Sequence, residues 1–205
     1  MRHQNDFYET PGKLTRELLN RVTISGTILE PCAGSSAITK VLREYPYSNT
    51  VLESDRAWQD RRYHPTDATT EEFWQYWRSH LQDNYPEQGL QWVVTNPPFN
   101  QAHLILPLAY EYCDRGVAFL LRSTYSEPCK NRAQWLIDHA DNLRSRLDIN
   151  PRPKFRLDAG TDSATVTWFV WDKHWSWAAF GVVSPFGYIT DLDRDKKDKE
   201  LREIA

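Results

Sequence analysis

The sequence predicts an open α/β protein whose functional groups gather along one edge of a largely parallel sheet. Short apolar runs suited to strands alternate with helical patterns along the chain. Residues 26–38, Gly-Thr-Ile-Leu-Glu-Pro-Cys-Ala-Gly-Ser-Ser-Ala-Ile, read as a strand, a small-residue turn and a helix start. A second apolar run, residues 90–94, leaves the sheet through Thr95-Asn96-Pro97-Pro98-Phe99. Ligands of such sheets sit at the carboxyl ends of the strands. Glu30, Asp55 and Asn96 are thereby expected along one edge.

Each element has its own signal. Residues 12–22 follow Thr10-Pro11, a helix-starting pair, and place Leu14, Leu18 and Leu19 on one face. Residues 37–44 carry Ile38, Val41 and Leu42 at helical spacing, and the apolar run 50–52 then leads into Glu53-Ser54-Asp55. Thr69-Thr70-Glu71-Glu72 reads as a capping box opening a helix with Phe73, Trp77 and Leu81 on its inner face. Residues 101–112 are expected as a helix, kinked or restarted at Pro107 and ended by Gly116. The continuous apolar run 117–121 suits a buried parallel strand. Residues 127–140 are expected to be helical, and 164–171 alternate as a strand. Residues 191–205 mix Asp, Arg, Lys and Glu with few apolar anchors and read as a charged tail after one catalytic domain, 1–190.

The exit at 96–99 has chemical consequences. Successive prolines fix φ, bar helix from the residue before each, and remove donors. The tip therefore offers acceptors, the Asn96 side-chain oxygen and the Pro97 carbonyl, beside the flat apolar ring of Phe99. This set suits a planar substrate with an exocyclic or amide NH2. Such a nitrogen is a poor nucleophile because its lone pair is conjugated. Two acceptors on its hydrogens favour the pyramidal form and free the lone pair. The plain alternative is an ordinary strand exit with a proline stop. Upstream, Gly34 permits a tight turn and close backbone approach to a ligand. Asp55 lies 21 residues beyond it, the spacing at which an acid holds ribose hydroxyls in nucleoside-binding α/β folds.

On these motifs the chain resembles S-adenosylmethionine-dependent amino-methyltransferases, above all the bacterial and phage DNA adenine-N6 methyltransferases. The resemblance covers roughly residues 7–172 and implies a Rossmann-like class I fold with about seven strands and helices on both faces. Phe7-Tyr8-Glu9-Thr10-Pro11 is similar to the motif that meets the methionine end of the cofactor, which implies roles for Tyr8, Thr10 and Pro11. Glu30-Pro31-Cys32-Ala33-Gly34 resembles the cofactor loop, implying contacts from Glu30, Pro31, Ala33 and Gly34. Asp55, with Glu53 as its rival, matches the ribose-binding acid. His64-Pro65-Thr66-Asp67-Ala68 resembles the adenine-binding motif, with Asp67 on the cofactor's amino group and Ala68 beside it. Asn96, Pro97, Pro98 and Phe99 match the catalytic motif, and Asn96 also borders the cofactor. Ser36 departs from the pattern, because the usual loop has a second glycine there.

The resemblance implies direct methyl transfer to an adenine turned out of its stack. Asn96 and Pro97 accept the amino hydrogens, Phe99 stacks on the base, and Tyr125 or Trp168 forms the opposite wall. No general base is required, because the charged product amine loses its proton readily. Methylation of an amino group in RNA or of a protein glutamine, and a non-catalytic nucleic-acid-binding subunit, are the competing readings.

Composition fits a folded catalytic core. The chain of 205 residues is 40% hydrophobic and contains nine tryptophans, enough for one core of substantial size. It has no apolar run long enough to span a membrane and no apolar segment in its first residues. Cys32, Cys113 and Cys129 are scattered, which predicts a reducing cytoplasm and no disulfide framework. The six histidines lack paired ligand spacing, so no metal is expected.

Net charge is −3, although duplex binding usually rests on phosphate neutralisation. The basic residues are unevenly spread, however. Arg122, Lys130 and Arg132 flank the loop after the 117–121 strand, and Arg144, Arg146, Arg152, Lys154 and Arg156 crowd the stretch before the last strand. A local basic rim on an acidic protein is the expectation, with DNA contacts from Phe99, Arg122, Tyr125, Arg132, Arg152 and Lys154. DNA is the expected partner and RNA the alternative; a homodimer or a recognition subunit would supply further affinity.

Overall fold

The computed structural model describes residues 9–46, 49–58, 65–127, 129–153, 155 and 165–187. Tyr8 and Lys154, together with Phe7, His64, Arg156 and the charged tail, lie outside the described residues.

The elements run α1 (Gly12–Leu19), β1 (Thr27–Glu30), α2 (Ala37–Glu44), β2 (Thr50–Glu53), α3 (Glu71–Asn84), β3 (Trp92–Thr95), α4 (Ala102–Tyr112), β4 (Gly116–Arg122), α5 (Ala133–Asp138), β5 (Leu143–Asp148) and β6 (Val166–Asp172). The strands form one six-stranded sheet of order β2-β1-β3-β4-β6-β5. The pairings β2-β1, β1-β3 and β3-β4 are parallel, and β6 is antiparallel to both β4 and β5. Only β6 runs against the rest, so the sheet is Rossmann-like and mostly parallel, with six strands among the described residues where about seven were expected.

Alternation along the strands sorts the core onto two faces. Leu29, Val93, Val117, Phe119, Phe169 and Trp171 join Phe73, Trp74 and Trp77 of α3 and Ile105 and Leu106 of α4. Ile28, Trp92, Val94, Ala118, Leu120 and Trp168 join Leu18 and Leu19 of α1 and Ile38, Val41 and Leu42 of α2. With both faces covered, the central strands read as continuous apolar runs.

Several boundaries move for local reasons. α1 ends at Leu19, because Arg21 and Val22 both donate to the Leu18 carbonyl and turn the chain so that Val22 and Ile24 plug into the core. The Thr69–Glu72 capping box does not form. Thr70 occupies the N-cap without a side-chain cap bond. Asp67 organises the turn instead, its Oδ1 accepting from Thr69 N at 3.1 Å and Thr69 Oγ1 at 2.7 Å. α4 runs through Pro107 as one element ending at Tyr112, and Gly116 starts β4 instead of ending the helix. A Cβ at Gly116 would lie 2.3 Å from the Trp171 carbonyl, so glycine permits the β4–β6 approach.

The helix expected over 127–140 shrinks to α5. Glu127 precedes Pro128 and is extended, and Arg132 pins the loop through Thr124 and Glu127 carbonyls at 3.2 and 2.9 Å. The basic stretch after it becomes edge strand β5. Its Arg144 bonds buried Asp172 at 3.1 Å, beside Arg115 at 2.9 Å on the same carboxylate. No helix among the described residues is long and apolar enough to cross a membrane.

Candidate active site

Strand order reverses between β1 and β3: the chain moves from β1 outward to β2, then returns to the other side of β1. A crevice outside the carboxyl ends of β1 and β3 is the expected ligand site of such a sheet. The Gly34 loop and the Asn96 turn both emerge there.

The loop after β1 is held by its neighbours. Ala33 N donates to the Ser54 carbonyl at 3.0 Å, and Ser54 N to the Glu30 carbonyl at 2.9 Å, extending the β1–β2 ladder past the strand ends. Gly34 has φ 54° and Ser36 φ 61°. Ser36 thus adopts the left-handed conformation that a glycine would take at little cost; for serine it costs about 1 kcal/mol. The glycine-to-serine departure is absorbed by backbone strain, with the turn itself retained.

The acids of this edge are placed differently. Glu30 is buried, and its carboxyl accepts from Thr39 N at 2.8 Å and from the Thr39 hydroxyl. It ties the first turn of α2 to the sheet from beneath the loop. Burial, opposed by those bonds, pushes its pKa up to about 8. Asp55 accepts from Gly34 N at 2.8 Å and Ala57 N at 2.7 Å, so both of its oxygens shape the loop. Glu53 ends β2 opposite Glu30. One Glu53 oxygen meets Arg43 at 3.4 Å, and the other, Oε2, is buried without a partner. Asp67 pairs with Arg56 at 3.3 Å. Ala68 is buried, and its carbonyl accepts from Trp74 Nε1 at 2.9 Å. Pro31 and Ala33 are buried in the loop. Burial and the neighbouring Asp55 push the Cys32 thiol well above the ordinary range, which rules it out as an activated nucleophile.

Ser35 Oγ, Glu53 Oε2, Ser54 Oγ and Thr95 Oγ1 are buried polar atoms without hydrogen-bond partners. All four belong to the Gly34 loop or to the carboxyl ends of β2 and β3. Buried orphans cost about 1–3 kcal/mol each; others among the described residues, Thr15 Oγ1 and the indole nitrogens of Trp171 and Trp175, lie in α1, β6 and the segment after it. Of this group the sequence named only Glu53; the signal for the three hydroxyls was small polar residues at consecutive strand tips.

Asn96 follows β3. Its Nδ2 donates to Thr10 Oγ1 at 3.0 Å. Thr10 is buried just before α1, so the structure joins two separately predicted motifs, with Pro11 as the residue preceding the helix. The bond fixes the side-chain amide and leaves Oδ1 as an acceptor on its other side. Gln101 N donates to the Pro98 carbonyl at 2.9 Å, closing the turn into α4. Phe99 packs against the α1–α2 face of the core, and the Arg122 guanidinium lies 5.4 Å from its ring centre.

The expected opposite wall is not there. Trp168 is buried and its indole N–H bonds the Leu14 carbonyl at 3.1 Å. Tyr125 is buried against Phe169, with Arg132 4.9 Å above its ring. Of the expected DNA contacts, Arg122 and Arg152 are exposed, whereas Arg132 serves as a loop staple. Arg144 is drawn to Asp172 at the far end of β6, and Arg146 pairs with Asp148 at 3.3 Å on the site-bearing edge. Along this edge Glu53, Asp55 and Asp67 lie on the β1–β2 half, two of them paired with Arg43 and Arg56, and Arg122, Arg132 and Arg146 lie on the β4–β5 half, the last paired with Asp148. Among the described residues no group of three His, Cys, Asp or Glu residues could hold a metal ion.

No family model and no curated protein matches the chain. Among solved structures, TrmN from Thermus thermophilus is similar with 16% identity and a TM-score of 0.49, covering 78% of this chain and 48% of that one. A release-factor-specific protein-(glutamine-N5) methyltransferase from Alicyclobacillus acidocaldarius gives 12% identity and a TM-score of 0.43, covering 78% and 92%. A methyltransferase from Pyrococcus furiosus gives 16% identity and a TM-score of 0.39, covering 84% and 88%. This chain spans about half the length of the Thermus protein. The Rossmann-like fold itself is read from strand order and direction.

Proposed function

We propose that this chain is an S-adenosylmethionine-dependent N-methyltransferase acting on the exocyclic N6 amino group of adenine in DNA. The observation that carries the reading is the Thr10–Asn96 bond of 3.0 Å, which presents an acceptor oxygen at the β3 tip beside Pro97 and Phe99.

The crevice suits the cofactor on its own chemistry. The unpartnered Glu53 Oε2 and the Ser35, Ser54 and Thr95 hydroxyls match a ligand with a ribose and an amino acid rich in donors and acceptors. The bound cofactor supplies an activated methyl group on sulfur. Glu53 is the acid assigned to the ribose hydroxyls, because Asp55 is already committed to Gly34 and Ala57. Asp67 and Ala68 border the adenine end.

Asn96 Oδ1 and the Pro97 carbonyl accept the two hydrogens of the target amine. Phe99 provides a stacking surface that holds the amine in line with the methyl group. Both acceptors act most strongly as nitrogen becomes pyramidal and positive, which is transition-state stabilisation by positioned dipoles. The N6 proton is then lost to water. Exposed Arg122 on the β4–β5 half favours a polyanion over a peptide glutamine.

Turnover of Asn96 variants tests the assignment. Asn96→Ala should abolish methyl transfer while S-adenosylmethionine affinity, measured by calorimetry, stays within a few-fold. Asn96→Asp, which keeps acceptor oxygens, should retain more activity than Asn96→Ala. Full activity in Asn96→Ala would remove the mechanism.

A further inference from the structure

Arg122 ends β4 and is exposed. Its guanidinium lies over the Phe99 ring, 5.4 Å from the centre. Among the described residues it makes no ion pair, unlike Arg146 with Asp148 and Arg43 with Glu53. Arg132 and Arg146 also lie beside aromatic rings on this edge, but Arg132 is bound by three hydrogen bonds to carbonyls of Thr124 and Glu127. Arg122 is thus held at this edge by a cation–π contact, worth about 0.5–1 kcal/mol at an exposed site. That is weak enough to be displaced and strong enough to matter. Phe99 is half-buried and packs on the core, so a base stacking on its ring would compete with the guanidinium for the surface left open.

Resting on the adenine methyltransferase reading, we propose that Arg122 is a specificity-determining residue that shields Phe99 until a phosphate-bearing nucleotide draws it away. A target base and the guanidinium compete for the same ring surface. A base within a strand brings flanking phosphates, and the flexible arginine stem lets the cation exchange ring for phosphate. A free nucleoside must displace the cation with no compensating contact. The site thereby favours adenine in a polynucleotide over adenine alone.

The test uses the full chain with its cofactor site filled by S-adenosylhomocysteine. Affinities are measured for a short single-stranded deoxyoligonucleotide containing one adenine and for deoxyadenosine, in the parent, Arg122→Ala and Arg122→Lys. Arg122→Ala should bind the oligonucleotide about tenfold more weakly and lower the slope of log affinity against log salt by about 0.7. Its deoxyadenosine affinity should rise about two- to fivefold as the shield is removed, an unchanged value overturning the shielding role, and Arg122→Lys should keep the parent slope. Equal loss for both ligands would mean that the guanidinium stacks on the base instead of yielding to it, and would overturn the proposal. No change for either would make Arg122 a solvated surface cation, with the same consequence. A parent that binds neither S-adenosylhomocysteine nor the oligonucleotide would overturn the methyltransferase reading itself.

Discussion

Replacing Thr10 by valine keeps the buried shape of the side chain and removes only the hydroxyl that fixes Asn96. In the parent, Asn96 Nδ2 donates to that hydroxyl at 3.0 Å. Without it the amide loses its orientational preference, and the state with Nδ2 facing the substrate becomes accessible. A neutral hydrogen bond contributes about 0.5–1.5 kcal/mol net, and an unsatisfied donor costs about 1–3 kcal/mol. Asn96 is half-buried, so water makes good part of that loss and the penalty should fall near 1.4 kcal/mol, about tenfold in rate. The assay is transfer of labelled methyl from S-adenosylmethionine to an adenine-containing oligonucleotide, with kcat and KM determined for both substrates. Thr10→Val should lower kcat about tenfold with little change in cofactor KM, and Thr10→Ser should restore the rate. An unchanged kcat in Thr10→Val, or a loss confined to cofactor KM, would refute the positioning argument and make Thr10 a cofactor contact only.

Two other predictions concern the acids at the β1–β2 tips. Glu53→Gln should weaken S-adenosylmethionine binding about tenfold, the worth of a charge-assisted hydrogen bond, without lowering the melting temperature. Asp55→Ala should lower the melting temperature because it leaves Gly34 N and Ala57 N without their acceptor; calorimetry and thermal melts that gave the opposite pattern would exchange the two roles. Glu30, raised by burial to about 8, keeps in the native state a proton that the unfolded chain releases near the ordinary carboxylate value. Its contribution to stability is therefore full below about pH 4.5 and is lost as pH rises towards 8. Glu30→Gln, still accepting from Thr39 N, should flatten that decline in melts run from pH 5 to 9; an identical slope in parent and variant would contradict the buried-acid account.

Local chemistry was legible in the sequence wherever a residue type admits few conformations. The prolines at 97 and 98 and the glycine at 34 announced the two turns that border the crevice. Alternating apolar positions announced the central strands. Edge strand β5 was not legible, because Leu143-Arg144-Ser145-Arg146-Leu147-Asp148 carries a pattern set by partners far away in sequence. Asp172, buried between Arg115 and Arg144, is what turns two apparent surface cations into structural ones. The capping box failed to a local competitor instead: Asp67, only two residues upstream of Thr69, captured the Thr69 donors first. The division of labour between Glu53 and Asp55 depends on which carboxylate already has partners, and spacing alone does not carry that information.

The most direct test of the account is product identity. The purified chain is incubated with labelled S-adenosylmethionine and a mixture of unmethylated DNA, RNA and protein, and the digested products are resolved by mass spectrometry. Label is expected in DNA as N6-methyladenine with the parent chain and none with Asn96→Ala. Label in an RNA base or in glutamine would contradict the DNA assignment while keeping the amine chemistry, and no transfer to any amino group would contradict the account at its centre.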